Sequence, residues 1–217
     1  TAVDLWVSDN SAALSTYGEI NTWDVSLITD MSYIFSTYPH SDYFSDFNDN
    51  ISNWDVSNVT NMYRMFRDAS SFNQDLSGWD VSSVTNMFEI FYSASSFNDN
   101  ISSWNLSSLT NMAGMFSRAS SFNGDISSWN VSSVTNMSSV FKLASSFNQD
   151  ISNWEVDNVT RMDYMFYQAS SFDQDISSWN VDNVTNYPYM NNMFYASSAL
   201  SDANKCLIHT DFDNNSN

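Results

Sequence analysis

Apolar and polar residues follow a regular pattern along most of this chain. Residues 51–72 carry their apolar side chains at Ile51, Trp54, Val56, Val59, Met62, Met65, Phe66, Ala69 and Phe72. Trp54 and Val56 alternate with polar neighbours, which favours a short β-strand in the first part of this stretch. In the second part, apolar residues are separated by three or four positions. That spacing is typical of one face of a short helix.

The same pattern returns every 25 residues. The tryptophans from Trp54 to Trp179 and the phenylalanines from Phe47 to Phe172 keep this step without an insertion. One strand and one short helix cannot bury their apolar sides alone, so successive copies must stack. The pattern predicts an α/β repeat fold, a solenoid with one short parallel strand and one short helix per 25-residue turn. Equivalent tryptophans and methionines are expected to form buried columns.

The two ends depart from the repeat, and we predict three segments from this. They are an N-terminal cap at residues 1–18, a solenoid of about seven repeats at 19–198 and a C-terminal cap at 199–217. The first copy carries six extra residues within 36–45, and the last carries about three at 187–189. Terminal repeats need a polar outer surface, so the end segments are interpreted as caps.

Charge and hydropathy narrow the range of partners. The chain has 6 basic and 25 acidic residues and a formal charge of −19. Nucleic acid and anionic membrane surfaces are therefore poor partners, because they would be repelled. No apolar run reaches the ~18 residues that span a bilayer, so we expect no direct membrane insertion. The chain does not begin with Met and shows no signal peptide, and we interpret it as a fragment or mature segment.

The repeats resemble those of a known family. The stretches WDVSNVTNMYRMF (54–66) and SFNQDISNWEVDNVTRMDYMF (146–166) are similar to repeats of BspA-like leucine-rich-repeat surface proteins, the type also found in mycoplasma surface lipoproteins. The resemblance covers residues 19–198 and implies a right-handed solenoid with an adhesion or binding role. It also implies an extracellular or cell-surface setting, as part of a larger secreted or anchored protein. It supplies no residue-level binding motif.

Catalytic chemistry has little support in the sequence. The only histidines, His40 and His209, belong to the N-terminal insertion and the C-terminal cap, so a Ser-His-Asp arrangement is not expected. The single cysteine, Cys206, can form no intramolecular disulfide and is expected to be a buried or capping thiol. A glycosidase needs two unlike carboxyl groups placed in a cleft, whereas a repeat supplies identical ones in a row. We therefore expect no enzyme and no required cofactor.

One polar column is a candidate ligand-binding surface. The residue after each Trp is expected to point outward on the concave side of the predicted sheet. Asp, Asn and Glu side chains there could hydrogen-bond hydroxylated ligands such as sugars, but a solvated surface without a ligand explains the pattern equally well. The candidate residues are Asp55, Asp80, Asn105, Asn130, Glu155 and Asn180.

A second acidic column, in the turn before each strand, is a candidate metal site. Asp125, Asp150 and Asp175 occupy equivalent positions in successive copies. Like charges this close must either splay into solvent or be bridged by a cation, and Ca²⁺ prefers carboxylate and carbonyl oxygens. Local capping of turns by Asp and Asn is the commoner explanation of such a column. The Asn after each Thr, such as Asn61 and Asn86, is expected to be structural, at the start of the predicted helix.

Two functions remain open at this point. The first is a cell-surface module that binds a glycan, a peptide or a surface protein through the concave acidic face. The second is a structural spacer, or a filament or surface-layer subunit, without a specific ligand. Solenoid ends can associate head to tail. Whether they do so depends on Tyr187, Tyr189, Leu207 and Ile208, which are candidates to cover the last repeat.

Overall fold

The computed structural model describes residues 1–36, 42–184, 192–205 and 207. The chain begins with two short helices, α1 (Ala2–Ser8) and α2 (Asn10–Tyr17). Two 3-10 helices follow, Ile20–Thr22 and Asp42–Asp46, and residues 202–205 are again helical. Most of the remaining described chain consists of tight turns arranged in stacked coils.

The two N-terminal helices lie against the first coils. The Thr1 side chain accepts the Asp4 N–H, and the Asp4 side chain accepts from the Thr1 backbone, which together form a capping box at the start of α1. Gly18, with a φ of 72°, ends α2 in a conformation that glycine adopts without steric cost. Trp6 of α1 is buried, and its indole N–H donates to the Asp49 carboxylate at 2.7 Å. That bond links α1 to the stacked part of the chain.

The predicted α/β fold is wrong, because the described residues contain neither the strand nor the helix expected in each repeat. Residues 51–59, where a strand was predicted, form turns and unassigned backbone, and neighbouring coils share only isolated parallel bridges just after that stretch. Residues 61–69, where a helix was predicted, form consecutive turns. A leucine-rich-repeat solenoid with a strand in every turn is thus not what this sequence forms. The bridges join Asp30, Asn61, Asn86, Asn111, Asn136 and Arg161, each to the next.

Backbone hydrogen bonding explains why no helix forms. The N–H groups of Met62, Arg64 and Phe66 each donate to a carbonyl of the next coil at 2.9 Å. The N–H of Met65, between them, closes a turn onto the Met62 carbonyl at 3.2 Å. Left-handed residues make these turns feasible, with φ of 56° at Arg64 and 62° at Asp68. In an α-helix every interior N–H would instead bond within its own segment.

The turns also produce the apolar spacing that suggested a helix. Met62, Met65, Phe66 and Ala69 are all fully buried. A helical face and a chain of tight turns can each direct residues three and four positions apart to one side. Periodicity alone therefore does not distinguish them.

The 25-residue units stack as coils, and their apolar side chains form the predicted buried columns. Trp129 stacks on Trp154, and Trp154 on Trp179, with ring centres 6.3 Å apart in both pairs. The indole N–H of Trp104 donates to the Leu76 carbonyl of the preceding coil at 3.0 Å, so burial leaves this donor satisfied. The numbering used below is coil 1 for residues 19–46, coil 2 for 47–71, coil 3 for 72–96, coil 4 for 97–121, coil 5 for 122–146 and coil 6 for 147–171.

Candidate functional site

The predicted ligand-binding column lies on the surface of the stack, although no sheet supports it. All six side chains are exposed, at the same position of successive coils. One oxygen of Asp55 accepts the Ser57 backbone N–H at 3.1 Å, and one oxygen of Asp80 accepts that of Ser82 at 3.0 Å. Three amides make the same bond at 3.1 Å, namely Asn105, Asn130 and Asn180. The column is therefore largely a row of Asx turns that each coil needs for its own backbone.

These hydrogen bonds favour the charged form of Asp55 and of Asp80. The hydroxyl and backbone N–H of Ser57 lower the pKa of Asp55. Ser82 lowers the pKa of Asp80 in the same way. Donors that bond the charged form of an acid favour that form. Asp55 and Asp80 thus carry full negative charge at neutral pH.

Asn130 and Glu155 also border a shallow depression. Its volume is about 190 Å³, and Trp129, Val131 and Asn153 complete its border. Sites for small molecules are usually larger, roughly 300–1,000 Å³. The size of the depression therefore adds little support to the acidic column as a ligand site.

The three predicted calcium ligands are used separately, each in its own turn. Asp125, Asp150 and Asp175 accept the backbone N–H of the serine two residues on, at 3.0, 2.9 and 2.9 Å. These bonds lower the pKa of Asp125 and of Asp150. Within the described residues, no three His, Cys, Asp or Glu side chains form a group that could hold a metal ion. Calcium binding stays a prediction without a ligand cluster to support it.

An asparagine ladder runs beside these turns and links the coils. The Oδ1 atom of Asn48 accepts the backbone N–H of Asn73 at 2.8 Å, and Asn73 accepts that of Asn98 at 2.8 Å. Because each amide satisfies a backbone donor of the next coil, the column has a structural role. The ladder continues in the same way through Asn123 and Asn148 to Asp173.

The Asn that follows each Thr is structural, as expected, but it caps a turn and not a helix. The Oδ1 atom of Asn61 accepts the Tyr63 N–H at 3.2 Å, and the Asn86 amide donates to Asn61 at 3.1 Å. Arg161 takes this position in coil 6 and forms an ion pair with Asp163 at 3.2 Å. Polar columns are thus mostly occupied by contacts within the stack.

Several residues singled out in the sequence lie outside the described part of the chain. Leu207 is described and is 44% exposed. The others are His40, Tyr187, Tyr189, Cys206, Ile208 and His209.

A second surface arises where the coils differ from one another. It comprises the two residues after the buried Met of each coil and the two after its buried Phe, whereas most of the remaining turn segment is nearly constant. We call this surface the variable face. In coils 2 to 6 its residues are Tyr63, Arg64, Arg67, Asp68; Phe88, Glu89, Tyr92, Ser93; Ala113, Gly114, Ser117, Arg118; Ser138, Ser139, Lys142, Leu143; and Asp163, Tyr164, Tyr167, Gln168.

The variable face is built on left-handed backbone. Its second and fourth positions in each coil have positive φ, from 53° at Glu89 to 65° at Gly114. Other residues pay a steric cost there of roughly 1–2 kcal/mol relative to glycine. Gly114 is nevertheless the only glycine at these positions. Most of these positions carry a side chain although glycine would be less strained there. We therefore infer that these side chains have a role beyond forming the turns.

Aromatic and charged side chains crowd the first part of the variable face. The guanidinium carbon of Arg64 lies 5.3 Å from the ring centre of Phe88, and its Nε donates to Glu89 at 2.7 Å. Arg67 also pairs with Glu89 and lies 4.2 Å from the ring centre of Tyr92. The positive charges of this cluster are therefore already paired within the chain.

A second aromatic cluster lies further along the stack. The Lys142 ammonium is 5.1 Å from the ring centre of Tyr164 and 5.3 Å from that of Tyr167. Tyr167 stacks on Tyr195 at 5.2 Å, and Tyr195 is 57% exposed. Neither Lys142 nor the exposed Arg118 forms an ion pair with any described residue. These two cations are available to a partner.

Small residues separate the two clusters. Ala113, Ser117 and Ser138 are almost fully buried, with 4%, 2% and 8% exposure. The Glu89 side chain lies across Gly114, where an added Cβ would meet the Glu89 Cγ at 2.8 Å. The centre of the variable face is therefore lower than its aromatic ends.

A protein-family model matches this chain over most of its length. The model is described as "Mycoplasma protein of unknown function, DUF285", and it matches residues 7–123 and again residues 98–206. The chain belongs to the DUF285 family. Searches of curated proteins and of solved structures found no match. The mycoplasma-type repeat suggested by the sequence is thereby confirmed, whereas the match carries no leucine-rich-repeat name.

The pattern shared by the repeats does not predict the variable face of this DUF285 chain. The positions that the repeats share predict the stacked columns, whereas the variable face consists of positions that differ from coil to coil. A signal was present, because four of the 6 basic residues lie on it: Arg64, Arg67, Arg118 and Lys142. In the part of the chain that the structure describes, no helix has the length and apolar character needed to cross a membrane.

Proposed function

We propose that this DUF285 chain is a non-catalytic binding module that contacts an extracellular or cell-surface protein through the variable face. The observation that carries the proposal is a contrast between two surfaces. The acidic column mostly supplies acceptors for turns common to every coil. The variable face presents side chains that differ from coil to coil, and its second and fourth positions lie on backbone where a side chain is strained.

The composition of the variable face favours a protein over a glycan. Tyr, Phe and Arg are enriched at the centres of protein interfaces, and a few such residues supply most of the binding energy. Aromatic side chains at both ends and small residues in the centre form a shape that can hold a protruding segment of a partner. The depression beside Asn130 is, by contrast, about 190 Å³, which is smaller than most small-molecule sites.

Charge indicates which part of the partner faces this surface. Arg118 and Lys142 have no ionic partner among the described residues, so acidic groups of the partner are proposed to meet them. The chain as a whole carries a charge of −19 and would repel an acidic protein elsewhere. Such asymmetry fixes orientation and raises specificity more than affinity.

A screen of labelled protein against arrays of extracellular proteins and of glycans tests the proposal. We expect binding to a protein, weakened at least tenfold by Arg118→Glu combined with Lys142→Glu. Lys205→Glu is the charge-matched control for each single reversal, Arg118→Glu and Lys142→Glu, because it reverses a basic residue off the variable face that pairs with Asp202 at 3.2 Å. Equal loss in the control would point to overall charge and would contradict the proposal.

The acidic column is tested in the same assay. Asp80→Asn and Glu155→Gln remove charge and keep an oxygen acceptor. Binding that is lost in this double variant and kept in the Arg118/Lys142 variant would assign the function to the acidic column. Binding to glycans alone would also contradict a protein partner.

A setting at the cell surface, within a larger secreted or anchored protein, is part of the proposal. It is supported by the resemblance of the repeats to BspA-like surface proteins. Antibody labelling of intact cells is the test. Labelling that requires permeabilisation would contradict the surface location.

A structural spacer is the second candidate, and one observation favours it. Many polar residues of the repeat form hydrogen bonds to a neighbouring coil. In the asparagine ladder, for example, the Asn98 N–H donates to the Asn73 Oδ1 at 2.8 Å. Such a stack could act as a rigid support without a ligand. Light scattering over a concentration series separates a monomeric module from a subunit that associates head to tail.

A further inference from the structure

A cavity opens beside the N-terminal helices, where coil 1 has no coil before it. Its volume is about 620 Å³, within the range of small-molecule sites. Tyr17, Trp23 and Trp54 border it, and Val25, Ile28 and Ile34 add aliphatic surface. It is about three times as large as the depression of about 190 Å³ near Asn130.

The cavity exists because α1 and α2 cover coil 1 less completely than another coil would. Ile28 is 36% exposed, whereas its counterpart in coil 2, Val59, is fully buried. The Trp23 indole does not bond to a preceding coil and instead donates to the Gly18 carbonyl at 3.2 Å. Its ring meets Tyr17 edge to face, with centres 5.8 Å apart. Apolar stacking surface is thus left open in coil 1.

Asp24 makes the border of the cavity negative. Its Oδ1 atom accepts the Ser26 N–H at 3.1 Å and the Ser26 hydroxyl at 2.7 Å, and these bonds lower the pKa of Asp24. Asp24 forms no ion pair with a described residue. The other carboxylate at the border, Asp4, is paired with the Thr1 amine. One charged carboxylate therefore remains without a cation.

We propose that this cavity binds a small organic cation, with its ammonium group between Asp24 and the Trp23 ring and its apolar body against Ile28. A cation over an aromatic face is attracted by the ring quadrupole, most strongly for Trp. No lysine or arginine is among the described residues that border the cavity. The Arg64 guanidinium donates to the Tyr33 hydroxyl at the border of the cavity, but the charge of Arg64 is paired with Glu89. The site shares Ser32 and Tyr33 with the coil 1 part of the variable face, and it does not depend on the proposed function.

Calorimetric titration with two probes of the same shape tests the proposal. Choline carries the positive charge, and 3,3-dimethyl-1-butanol is its neutral isostere. We expect choline to bind with a Kd on the order of 1 mM and the alcohol to bind at least tenfold more weakly. Benzyltrimethylammonium should bind roughly tenfold more tightly than choline, because its ring buries more apolar surface. Equal binding of choline and the alcohol, or binding of neither, would overturn the proposal.

Two aspartate variants locate the site. Asp24→Asn removes the charge and keeps the oxygen that accepts from Ser26, so it should fold and lose about tenfold in choline affinity. Asp80→Asn is the matched control, since Asp80 holds the same position and turn in coil 3, away from the cavity. The indole N–H resonance of Trp23 should shift with choline. An equal loss in both variants would overturn the proposal, because the effect would then come from the overall charge.

Other occupants of the cavity give different results. Binding to phosphatidylcholine vesicles without binding of free choline would show that the occupant is a lipid headgroup in a membrane, and would overturn the proposal of a soluble ligand. Self-association that Ile28→Ser abolishes, without choline binding, would show that a second copy fills the cavity and would likewise overturn the proposal.

Discussion

Individual Asp and Asn residues of this chain serve mainly as acceptors for nearby backbone donors. Asp75 illustrates this role, since its Oδ1 atom accepts both the backbone N–H of Ser77 at 2.9 Å and its hydroxyl at 2.6 Å. Asn100 does the same for Ser102 at 3.1 and 2.7 Å. Either residue forms the turn, so the turn requires an acceptor but no charge. The turn therefore does not determine whether a position carries Asp or Asn, so solubility or binding can determine it.

Ser77→Ala should raise the pKa of Asp75 towards its ordinary value. The Ser77 hydroxyl is the main cause of the lowered pKa, and the backbone N–H contributes second. A carboxyl group whose pKa is lower when folded stabilises the fold above its unfolded pKa of about 3.9. That contribution is lost as the pH falls through the folded pKa. Carboxyl NMR titration measures the shift directly.

Ser102→Ala is the control, because Asn100 carries no charge. Ser77→Ala should lower the free energy of unfolding at pH 7 by roughly 0.5 kcal/mol or less, given the exposure of the pair. The loss should shrink towards pH 3. The loss in Ser102→Ala should not change with pH, and an equal pH dependence in both variants would contradict the electrostatic account.

At the scale of one element, the sequence predicts burial well and backbone geometry poorly. The buried state of Met62, Met65 and Phe66 follows from the apolar pattern. The turns do not, because they depend on positive φ at residues such as Arg64 and Leu143, which carry no glycine signal. Bonds between coils also join residues that are far apart in sequence, and a local pattern does not reveal them. For the candidate site, the sequence already offers turn capping as the commoner explanation of the column at Asp125, Asp150 and Asp175, whereas the variable face was not anticipated.

Asn98→Ala should weaken the contact between coils 4 and 5. Its Oδ1 atom accepts the Asn123 backbone N–H at 2.7 Å, and alanine leaves that donor without its partner. Loss of such a bond costs about 1 kcal/mol. Urea unfolding followed by circular dichroism measures the change, with the slope expected to stay constant.

Asn98→Asp tests whether the acceptor itself matters. It keeps the oxygen, and the chain already uses Asp173 in this way, accepting the Ser201 N–H at 2.8 Å. We expect less than half the loss seen for alanine. Equal destabilisation by both variants would show that the ladder bond contributes little and that packing of the Asn side chain matters more.

At the scale of the whole molecule, stability should be nearly a sum over coils and the contacts between them. Each coil bonds to its immediate neighbours, as when the Thr110 N–H donates to the Thr85 carbonyl at 3.0 Å and the Thr135 N–H to that of Thr110 at 2.9 Å. Such a chain tolerates loss of an internal unit if the register of the columns is kept. The same arrangement explains why the variable face can differ from coil to coil while the core does not.

Deleting residues 123–147 should leave a folded protein. The deletion removes 25 residues and joins Phe122 to Asn148, so that every column stays in register. It also keeps Gly114 beneath Glu89, where a larger residue would meet the Glu89 Cγ. The free energy of unfolding should fall by roughly 1–4 kcal/mol, in proportion to the residues lost. The urea slope should fall by about a tenth, because less surface is exposed on unfolding.

Deleting residues 123–134 alone is the control for register. That shorter deletion removes less chain but places Gln149 at the position of Met137 and Asn153 at the position of Phe141, where the columns require apolar residues. We expect it to abolish cooperative unfolding, which near-ultraviolet circular dichroism of the tryptophans would report. If the shorter deletion were the more stable of the two, the coils would not be equivalent stacking units, and the inter-coil bonds would not be the main organising contact. If both deletions unfolded, the two coils beside the gap would depend on more than their nearest neighbours.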